Sequence, residues 1–515
     1  MNIIEILKKY AEIQPNKTAL IHEDKQISYQ ELDCRSDLFA NFLREQGVLK
    51  NHKAMLFVPL SIELYILFFA LLKNGSTVVL VDPTTDKNKI AQCIEAIKPE
   101  VFIGSPKAHL LRFIKAIRDI PKKFSTNIWI PGSSLLKASK NFENSIEIAP
   151  NTPALITFTS GSTGVPKAIS RSHEFLIHQH QAIVDALPFS SHHIELNTLP
   201  VFILSNLASC ITTVIPDQKI KNIQSLDANK IIRQLKKNHV NRILAAPAFF
   251  KKISDYLIST QEKLNGIEKI YTGGGPVFPS LLKNVQDSFP KSEIIAVYGS
   301  TEAEPIAHID LSQMTALDFK KMKNGHGLLA GQPISKIQLA IVPDHSSISL
   351  GPFTESEFNS LVLPPNQYGE IVVTGDHVQK SYLFGDEHKT KFKVGNAVWH
   401  RTGDAGYLDQ NGRLWLAGRC SEKIRNKKKI IYPFCVEAAA MSFPEVEKAA
   451  LVQMNGGSIV VIETLVLDGA KLCDKIKTKL KNIDIDTVKI VKKIPVDTRH
   501  HSKILYDDLK KILNS

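Results

Sequence analysis

Apolar and polar positions follow two rhythms along this chain, and together they predict an α/β protein. Between Tyr29 and Gln46 apolar residues recur at helical spacing, and between Ser61 and Leu72 they are nearly continuous. The first pattern predicts an amphipathic helix and the second a buried one. Short β-branched runs, Ser76–Val81 and Glu100–Gly104, predict strands, the first ended by Asp82-Pro83. The alternation returns at Arg242–Ala246, Lys269–Thr272 and Glu293–Val297, each followed by glycine or proline punctuation. Strands that alternate with helices predict layered α/β sheets.

After about Gly325 the texture changes. Short strands are expected at Ile337–Val342, Glu370–Thr374, Gly406–Leu408 and Leu414–Leu416, with Asp409-Gln-Asn-Gly412 as a hairpin turn between the last two. Beyond Gly418 comes a segment with its own β and α patterns, in which Ala449–Gln453 and Ser458–Glu463 read as paired strands. A domain boundary is therefore expected near Arg419. A chain of 515 residues exceeds one ordinary core, so two domains are natural.

Composition excludes more than it assigns. A hydrophobic fraction of 43% and a charged fraction of 22% exclude a disordered or fibrous chain. Six cysteines lie scattered without a CxxC pair, which argues against a disulfide scaffold or structural zinc site. The net charge of +13 is spread along the chain, and no aromatic-basic stripe accompanies it, so nucleic acid is not expected as a partner. His173, His178, His180, His192 and His193 form no metal-ligand pattern and are expected as surface or helix residues. The N-terminus lacks the apolar core of a signal peptide, and the apolar stretch Leu64–Leu72 is too short to span a bilayer. A cytoplasmic protein without a membrane span is expected.

The chemistry concentrates at Thr159-Ser-Gly-Ser-Thr-Gly-Val-Pro-Lys167, which follows the apolar run Ala154–Phe158. Glycines let a backbone approach an anion, closely spaced hydroxyls and amides donate to it, and a lysine adds charge. Phosphate is the expected ligand, although Pro166 and Ala168 around Lys167 do not fit the Walker pattern. Tyr298-Gly-Ser-Thr-Glu302, Arg401-Thr-Gly-Asp404, Gly418-Arg419 and Lys503 follow in that order.

This series resembles the motifs of the adenylate-forming superfamily: acyl- and aryl-CoA synthetases, luciferases and peptide-synthetase adenylation domains. The resemblance covers nearly the whole chain. It implies a large AMP-binding domain over 1–418, of layered α/β sheets with a small β-barrel-like subdomain. A small mobile α+β lid domain would occupy 419–515, with Ser421 at the hinge. The implied reaction activates a carboxylic acid, expected to be a fatty or hydroxy-fatty acid, to acyl-AMP with loss of pyrophosphate. ATP and Mg²⁺ are the implied cofactors.

Site residues follow by the same resemblance. Thr159, Ser160, Gly161, Ser162, Thr163, Gly164 and Lys167 would hold phosphates, and Gly274, Gly275, Pro276, Tyr298 and Gly299 the adenine. Asp404 and Arg419 would bind the ribose, Thr301 the α-phosphate and Glu302 the metal. Lys503 would bridge carboxylate and α-phosphate oxygens in the transition state. Phe202, Ser205, Asn206 and Gly273 would line the acyl pocket.

Transfer to a thiol, of CoA or a carrier protein, is the expected second step because it dominates the superfamily. Three positions depart from that pattern. Ser421 replaces the usual hinge Asp or Lys, Asn426-Lys427-Lys428-Lys429 replaces a glycine pair lining the pantetheine tunnel, and Ile203 replaces a common histidine. The segment from Leu199-Pro-Val-Phe to Val214-Ile-Pro-Asp217, Ala296-Val-Tyr-Gly-Ser-Thr-Glu-Ala303, Trp399-His-Arg-Thr-Gly-Asp404 and Pro495-Val-Asp-Thr-Arg-His500 are instead similar to the olefin β-lactone synthetase branch. There the substrate's own β-hydroxyl is the second nucleophile. An inactive AMP-binding scaffold is the remaining alternative.

Overall fold

The computed structural model describes residues 2–82, 85–139, 146–159, 167–218, 223–344, 351–384, 390–426, 429–466, 469–497 and 503–514. The chain packs as two units. One comprises Met1–Lys219, Arg233–Arg242 and Ser381–Glu387, and the other Ile220–Ile232, Ile243–Lys380 and His388–Ser515.

The first unit is built on a seven-stranded sheet. Its order is Ser134–Leu135, Lys122–Ser125, Val101–Gly104, Lys53–Phe57, Thr77–Leu80, Pro153–Thr159 and Lys167–Ser172. All neighbours are parallel except the last pair, in which Thr159 opposes Lys167. Both faces are covered, as parallel sheets require. Ala54, Leu56, Val78 and Ile103 join one core cluster, whereas Met55, Val79 and Phe102 join another. Successive residues point to opposite faces, so each strand reads as continuously apolar.

The buried helix expected from Ser61 spans Ile62–Lys73, capped by the Ser61 hydroxyl, which accepts from Leu64 N at 3.3 Å. Lys73 ends it inside the core, where its ammonium meets Asp33 at 2.7 Å and Asp37 at 2.9 Å. Four further strands of this unit, Ile194–Asn197, Thr212–Val214, Thr18–His22 and Lys25–Ser28, pair in that order.

In the second unit Lys269–Gly273 pairs in parallel with Glu293–Ser300, which turns back antiparallel as Ala303–Asp310. The antiparallel texture after Gly325 is real. Leu328–Pro333, Leu414–Arg419, Ala397–Leu408, Gly369–Thr374 and Gln338–Val342 continue the sheet, and among the described residues it remains open at Gln338–Val342. The hairpin expected around Gly412 joins Ala397–Leu408 to Leu414–Arg419, and Gly412 takes the positive φ that its turn needs.

The C-terminal segment contributes a three-stranded sheet, Lys448–Met454, Gly457–Glu463 and Thr487–Val491, with apolar clusters on both faces. Val436, Leu451 and Ile462 belong to one, and Val452, Val461 and Leu509 to the other. Leu509 lies on the helix Tyr506–Asn514 that follows Lys503, so the last helix is seated by its own apolar stripe.

A buried carboxyl ties that helix down. Glu437 Oε1 accepts from the Tyr506 hydroxyl at 2.8 Å and from Leu451 N at 3.3 Å. Burial pushes its pKa up to about 7. The fold thus retains a proton that the unfolded chain releases. The associated stability is complete below the ordinary glutamate range and is lost as pH rises through about 7. Glu437→Gln keeps the accepting oxygen and removes the titration. Urea unfolding of the full chain should therefore show the variant gaining about 3 kcal/mol on wild type between about pH 5 and pH 8. Parallel pH profiles for the two proteins would refute this assignment.

Candidate active site

The second unit brings five of the expected residues together: Tyr298, Thr301, Glu302, Asp404 and Arg419. Glu293–Ser300 and Ala303–Asp310 form a tight hairpin in which Ser300 opposes Ala303, so Thr301 and Glu302 occupy its tip. The tip is held from one side: Gln379 N donates to the Glu302 carbonyl at 2.7 Å, and Ala303 pairs with Val378. Thr301 and Glu302 are both half-buried.

Tyr298 points from the same strand to Asp404, donating its hydroxyl to Oδ2 at 2.9 Å. Arg419 Nη1 donates to the other oxygen, Oδ1, at 3.0 Å, and also to the Thr402 carbonyl at 3.0 Å. Asp404 and Arg419 are direct cross-strand partners, a pairing that sets opposite charges about one side chain apart. Burial, with Asp404 as the next cause, pushes the Tyr298 phenol well above its ordinary pKa, so it acts as a donor. Asp404 together with Glu302 and Tyr298 favours the charged form of the half-exposed Arg419.

The Arg401-Thr-Gly-Asp404 spacing now has a local explanation. The Arg401 guanidinium pairs with the buried Glu370 carboxylate, Nε lying 2.7 Å from Oε2. The Thr402 hydroxyl donates to the Ile371 carbonyl at 2.8 Å and accepts from Asp404 N at 3.0 Å. Gly403, at φ +72°, lets the strand turn between them. Two residues anchor the strand so that the fourth can present its carboxylate.

Gly273 ends the strand Lys269–Gly273, and Gly274, Gly275 and Pro276 follow it. A Cβ at Gly273 would lie 2.5 Å from the Val297 carbonyl oxygen, so only glycine lets these two strands approach this closely. A Cβ at Gly299 would meet the Ala303 carbonyl at 3.0 Å. Ser421 is exposed in the short turn Cys420–Glu422, its hydroxyl donating to Glu422 Oε1 at 3.1 Å.

Lys503 is exposed in a loop closed by narrow pairing. Its backbone N donates to Asp497 Oδ1 at 2.8 Å, its carbonyl accepts from Asp497 N at 2.8 Å, and Val496 pairs with Ile504.

In the first unit, Ser160, Gly161, Ser162, Thr163 and Gly164 lie outside the described residues, as do Lys427 and Lys428 of the basic run in the second. The strands on either side of the first segment are clear: Thr159 opposes Lys167, and the Lys167 ammonium lies 5.1 Å from the centre of the Tyr382 ring.

Phe202, Ser205 and Asn206 all lie on the helix Pro200–Ala208 and are buried. Ile203, on the same helix, is fully buried in the core. Asn206 uses its amide inward, donating to Glu195 Oε1 at 2.6 Å and Thr213 Oγ1 at 3.1 Å.

Three features had no signal in the sequence reading. His180 Nδ1 lies 2.8 Å from Ser205 Oγ, and burial pushes the imidazole down to about 4, which keeps it neutral near pH 7. Glu195 pairs with Arg242 in a site where both side chains are fully buried. Glu370 anchors Arg401 as described. One expectation needs correction: His193 is neither a surface nor a helix residue. It is buried in a turn, its Nδ1 accepting from Ser190 N at 3.0 Å. Such a histidine closes a turn by accepting from the backbone, a role that no local pattern announces.

A layered α/β sheet bearing these motifs defines a class. The chain belongs to the family of AMP-binding enzymes, whose model matches residues 7–383. It is an ATP-dependent ligase that activates carboxylic acids as acyl-adenylates. Among curated proteins it is similar to an olefin β-lactone synthetase of Xanthomonas campestris pv. campestris, 28% identical over 511 residues, covering 93% of this chain and 90% of that protein. A second olefin β-lactone synthetase, from Stenotrophomonas maltophilia, is 26% identical over 506 residues with the same shares covered. The fold matches the amide bond synthetase McbA of Marinactinospora thermotolerans at a TM-score of 0.83 and 18% identity, covering 99% of each chain. Among the described residues no helix is long and apolar enough to cross a membrane.

Proposed function

We propose that the enzyme adenylates a β-hydroxy acid and then closes it to a β-lactone. In the first step a carboxylate oxygen attacks the α-phosphorus of ATP and pyrophosphate leaves. In the second the β-hydroxyl oxygen attacks the acyl carbon, the bond from that carbon to the phosphate oxygen breaks, and AMP departs with the electron pair. The hydroxyl proton passes to a neighbouring base or to solvent.

The observation that carries the second step is the Ser205–His180 pair. It sets a neutral imidazole, carried on the helix His173–Ala186, in hydrogen-bond contact with a hydroxyl of the helix that also bears Phe202. A neutral imidazole is a proton acceptor suited to orienting an alcohol. The likeness to two olefin β-lactone synthetases over most of the chain supports the same reading.

The remaining roles belong to this proposal. Asp404 accepts from the ribose hydroxyls beside Arg419, and Gly274, Gly275, Pro276, Tyr298 and Gly299 frame the adenine. Thr159, Ser160, Gly161, Ser162, Thr163, Gly164 and Lys167 cradle phosphates, and Thr301 donates to the α-phosphate. Glu302 on its hairpin tip fits Mg²⁺, a cation that takes oxygen ligands and supplies charge neutralisation for the triphosphate. Residues 1–418 form the adenylating domain and 419–515 a lid that pivots at Ser421. Phe202, Ser205 and Gly273 line the acyl pocket, and Asn206 fixes the helix that carries two of them.

Thioester formation is the second reading, favoured by relatives such as the 2-succinylbenzoate–CoA ligase of Bacillus pumilus, 25% identical over 453 residues. Product analysis separates the two. With ATP, magnesium and a long-chain β-hydroxy acid, the enzyme should release a β-lactone at a rate unchanged by CoA. Accumulation of acyl-CoA at the lactone's expense would replace this proposal with the thioester reading. Absence of acid-dependent pyrophosphate exchange across a broad panel of acids would defeat both.

A further inference from the structure

One edge of the seven-stranded sheet bears an apolar surface that the reaction does not use. Among the described residues, Leu110, Phe113, Ile128 and Trp129 are 66%, 88%, 61% and 59% exposed. They come from two adjacent segments. Leu110 and Phe113 lie on the 3₁₀ helix Ala108–Phe113, where residues three apart share a face. His109 fixes which face that is. Its ring packs edge-on against Phe102 at 5.3 Å and its Nε2 lies 3.1 Å from the Phe124 carbonyl, so the neighbouring ridge turns outward. Ile128 and Trp129 follow the adjacent strand Lys122–Ser125, and Arg112 Nη1 donates to the Pro131 carbonyl at 2.6 Å, tying this loop to the helix.

The polar residues around the patch have one dominant sign. Residues 104–137 contain seven lysines and arginines and one acidic residue, Asp119. Lys107, Lys115 and Arg118 are exposed, and the Arg118 guanidinium is 3.7 Å from Asp119. Glu63 also approaches, accepting from Asn127 at 3.4 Å. A cationic surround excludes a basic partner and attracts an anionic one.

We propose that this edge docks the enzyme on a bilayer containing anionic lipids. Large side chains exposed over more than half of their surface, Phe113 over 88%, project outward and suit shallow entry into the acyl boundary. Tryptophan belongs at that depth, while the lysine and arginine stems place their charges among headgroup phosphates. Docking of this kind is peripheral and requires no spanning segment. It is independent of which nucleophile completes the reaction.

Tryptophan fluorescence tests the docking directly. Of the three tryptophans, Trp399 and Trp415 are buried, so a change on adding vesicles reports Trp129. Emission of the full-length protein should shift to the blue with phosphatidylcholine vesicles containing phosphatidylglycerol, and the protein should float with them. Pure phosphatidylcholine should bind at least tenfold more weakly. Phe113→Ser with Trp129→Ser should lower flotation on anionic vesicles by at least about tenfold. Lys115→Glu with Arg118→Glu should weaken it less and abolish the salt dependence, and both variants should keep acid-dependent pyrophosphate exchange. Equal flotation of wild type and variants, or no flotation, would overturn the assignment. So would a lipid-free dimer that the Phe113/Trp129 variant breaks, because the occupant would then be a second copy.

Discussion

Replacing Lys503 by Ala is expected to lower acid-dependent ATP–pyrophosphate exchange by roughly a hundred- to a thousand-fold, the size seen when one donor to a developing anionic centre is removed. The substitution should spare the fold. Two bonds that hold the loop use the backbone of Lys503: its N–H donates to the Asp497 carboxylate and its carbonyl accepts from Asp497 N, while Val496 pairs with Ile504. The helix that follows is seated by Leu509 and by Tyr506 on Glu437, neither of which involves the lysine ammonium. Nucleotide affinity measured by calorimetry should change little, since ribose and adenine are assigned to other residues. Lys503→Arg should restore little, because a planar fork cannot reproduce a compact ammonium between two oxygens. Exchange by the alanine variant within about twofold of wild type would remove Lys503 from the reaction.

The contrast between Lys503 and Asp404 shows what can be read from sequence. Asp404 is singled out by the resemblance of Arg401-Thr-Gly-Asp404 to a family motif, and the structure sets Thr402, Gly403 and the cross-strand Arg419 around it in one hairpin whose turn at Gly412 is visible in the sequence. The strands Lys269–Gly273 and Glu293–Ser300 were visible for a similar reason, each being a β-branched run with glycine close to its end. Gly273 looked like part of a binding surface, and the structure adds a second reason for it: the Val297 carbonyl leaves no room for a Cβ.

The polar groups inside the core were not legible. Glu370 sits in an apolar strand, and its partner Arg401 is distant in the chain. His180 and Ser205 meet only because two helices pack side by side, and neither helix carries a mark of the other. Periodicity reports which face is buried. It does not report which buried polar atoms meet across 25 residues or more, because their hydrogen bonds depend on tertiary register.

The largest loss of stability should come from the pair that sequence reading missed. Glu195 and Arg242 are both fully buried, and every strong contact in their network is charge-assisted. Glu195 Oε2 accepts from Arg242 Nε, while Oε1 accepts from Asn197 at 2.7 Å and Asn206 at 2.6 Å. Arg242 also donates to the carbonyls of Pro188 at 2.7 Å and Leu187 at 3.2 Å, and its guanidinium lies 4.2 Å from the Phe189 ring centre. Arg242→Met would keep much of the volume but leave a carboxylate in the core with two neutral amides for company. Removing one partner of such a pair costs about 3–5 kcal/mol, far more than any surface substitution. In a unit of this size that corresponds to a fall of roughly 10 °C in the unfolding temperature. Glu195→Gln should be comparably destabilising for a different reason: its new amide would face donors where an acceptor was needed. It should also raise the KM for the acid more than that for ATP, because Asn206 ties the helix bearing Phe202 and Ser205 to Glu195. Thermal unfolding of either variant within about 2 °C of wild type would show that water or a neighbouring group replaces the missing partner.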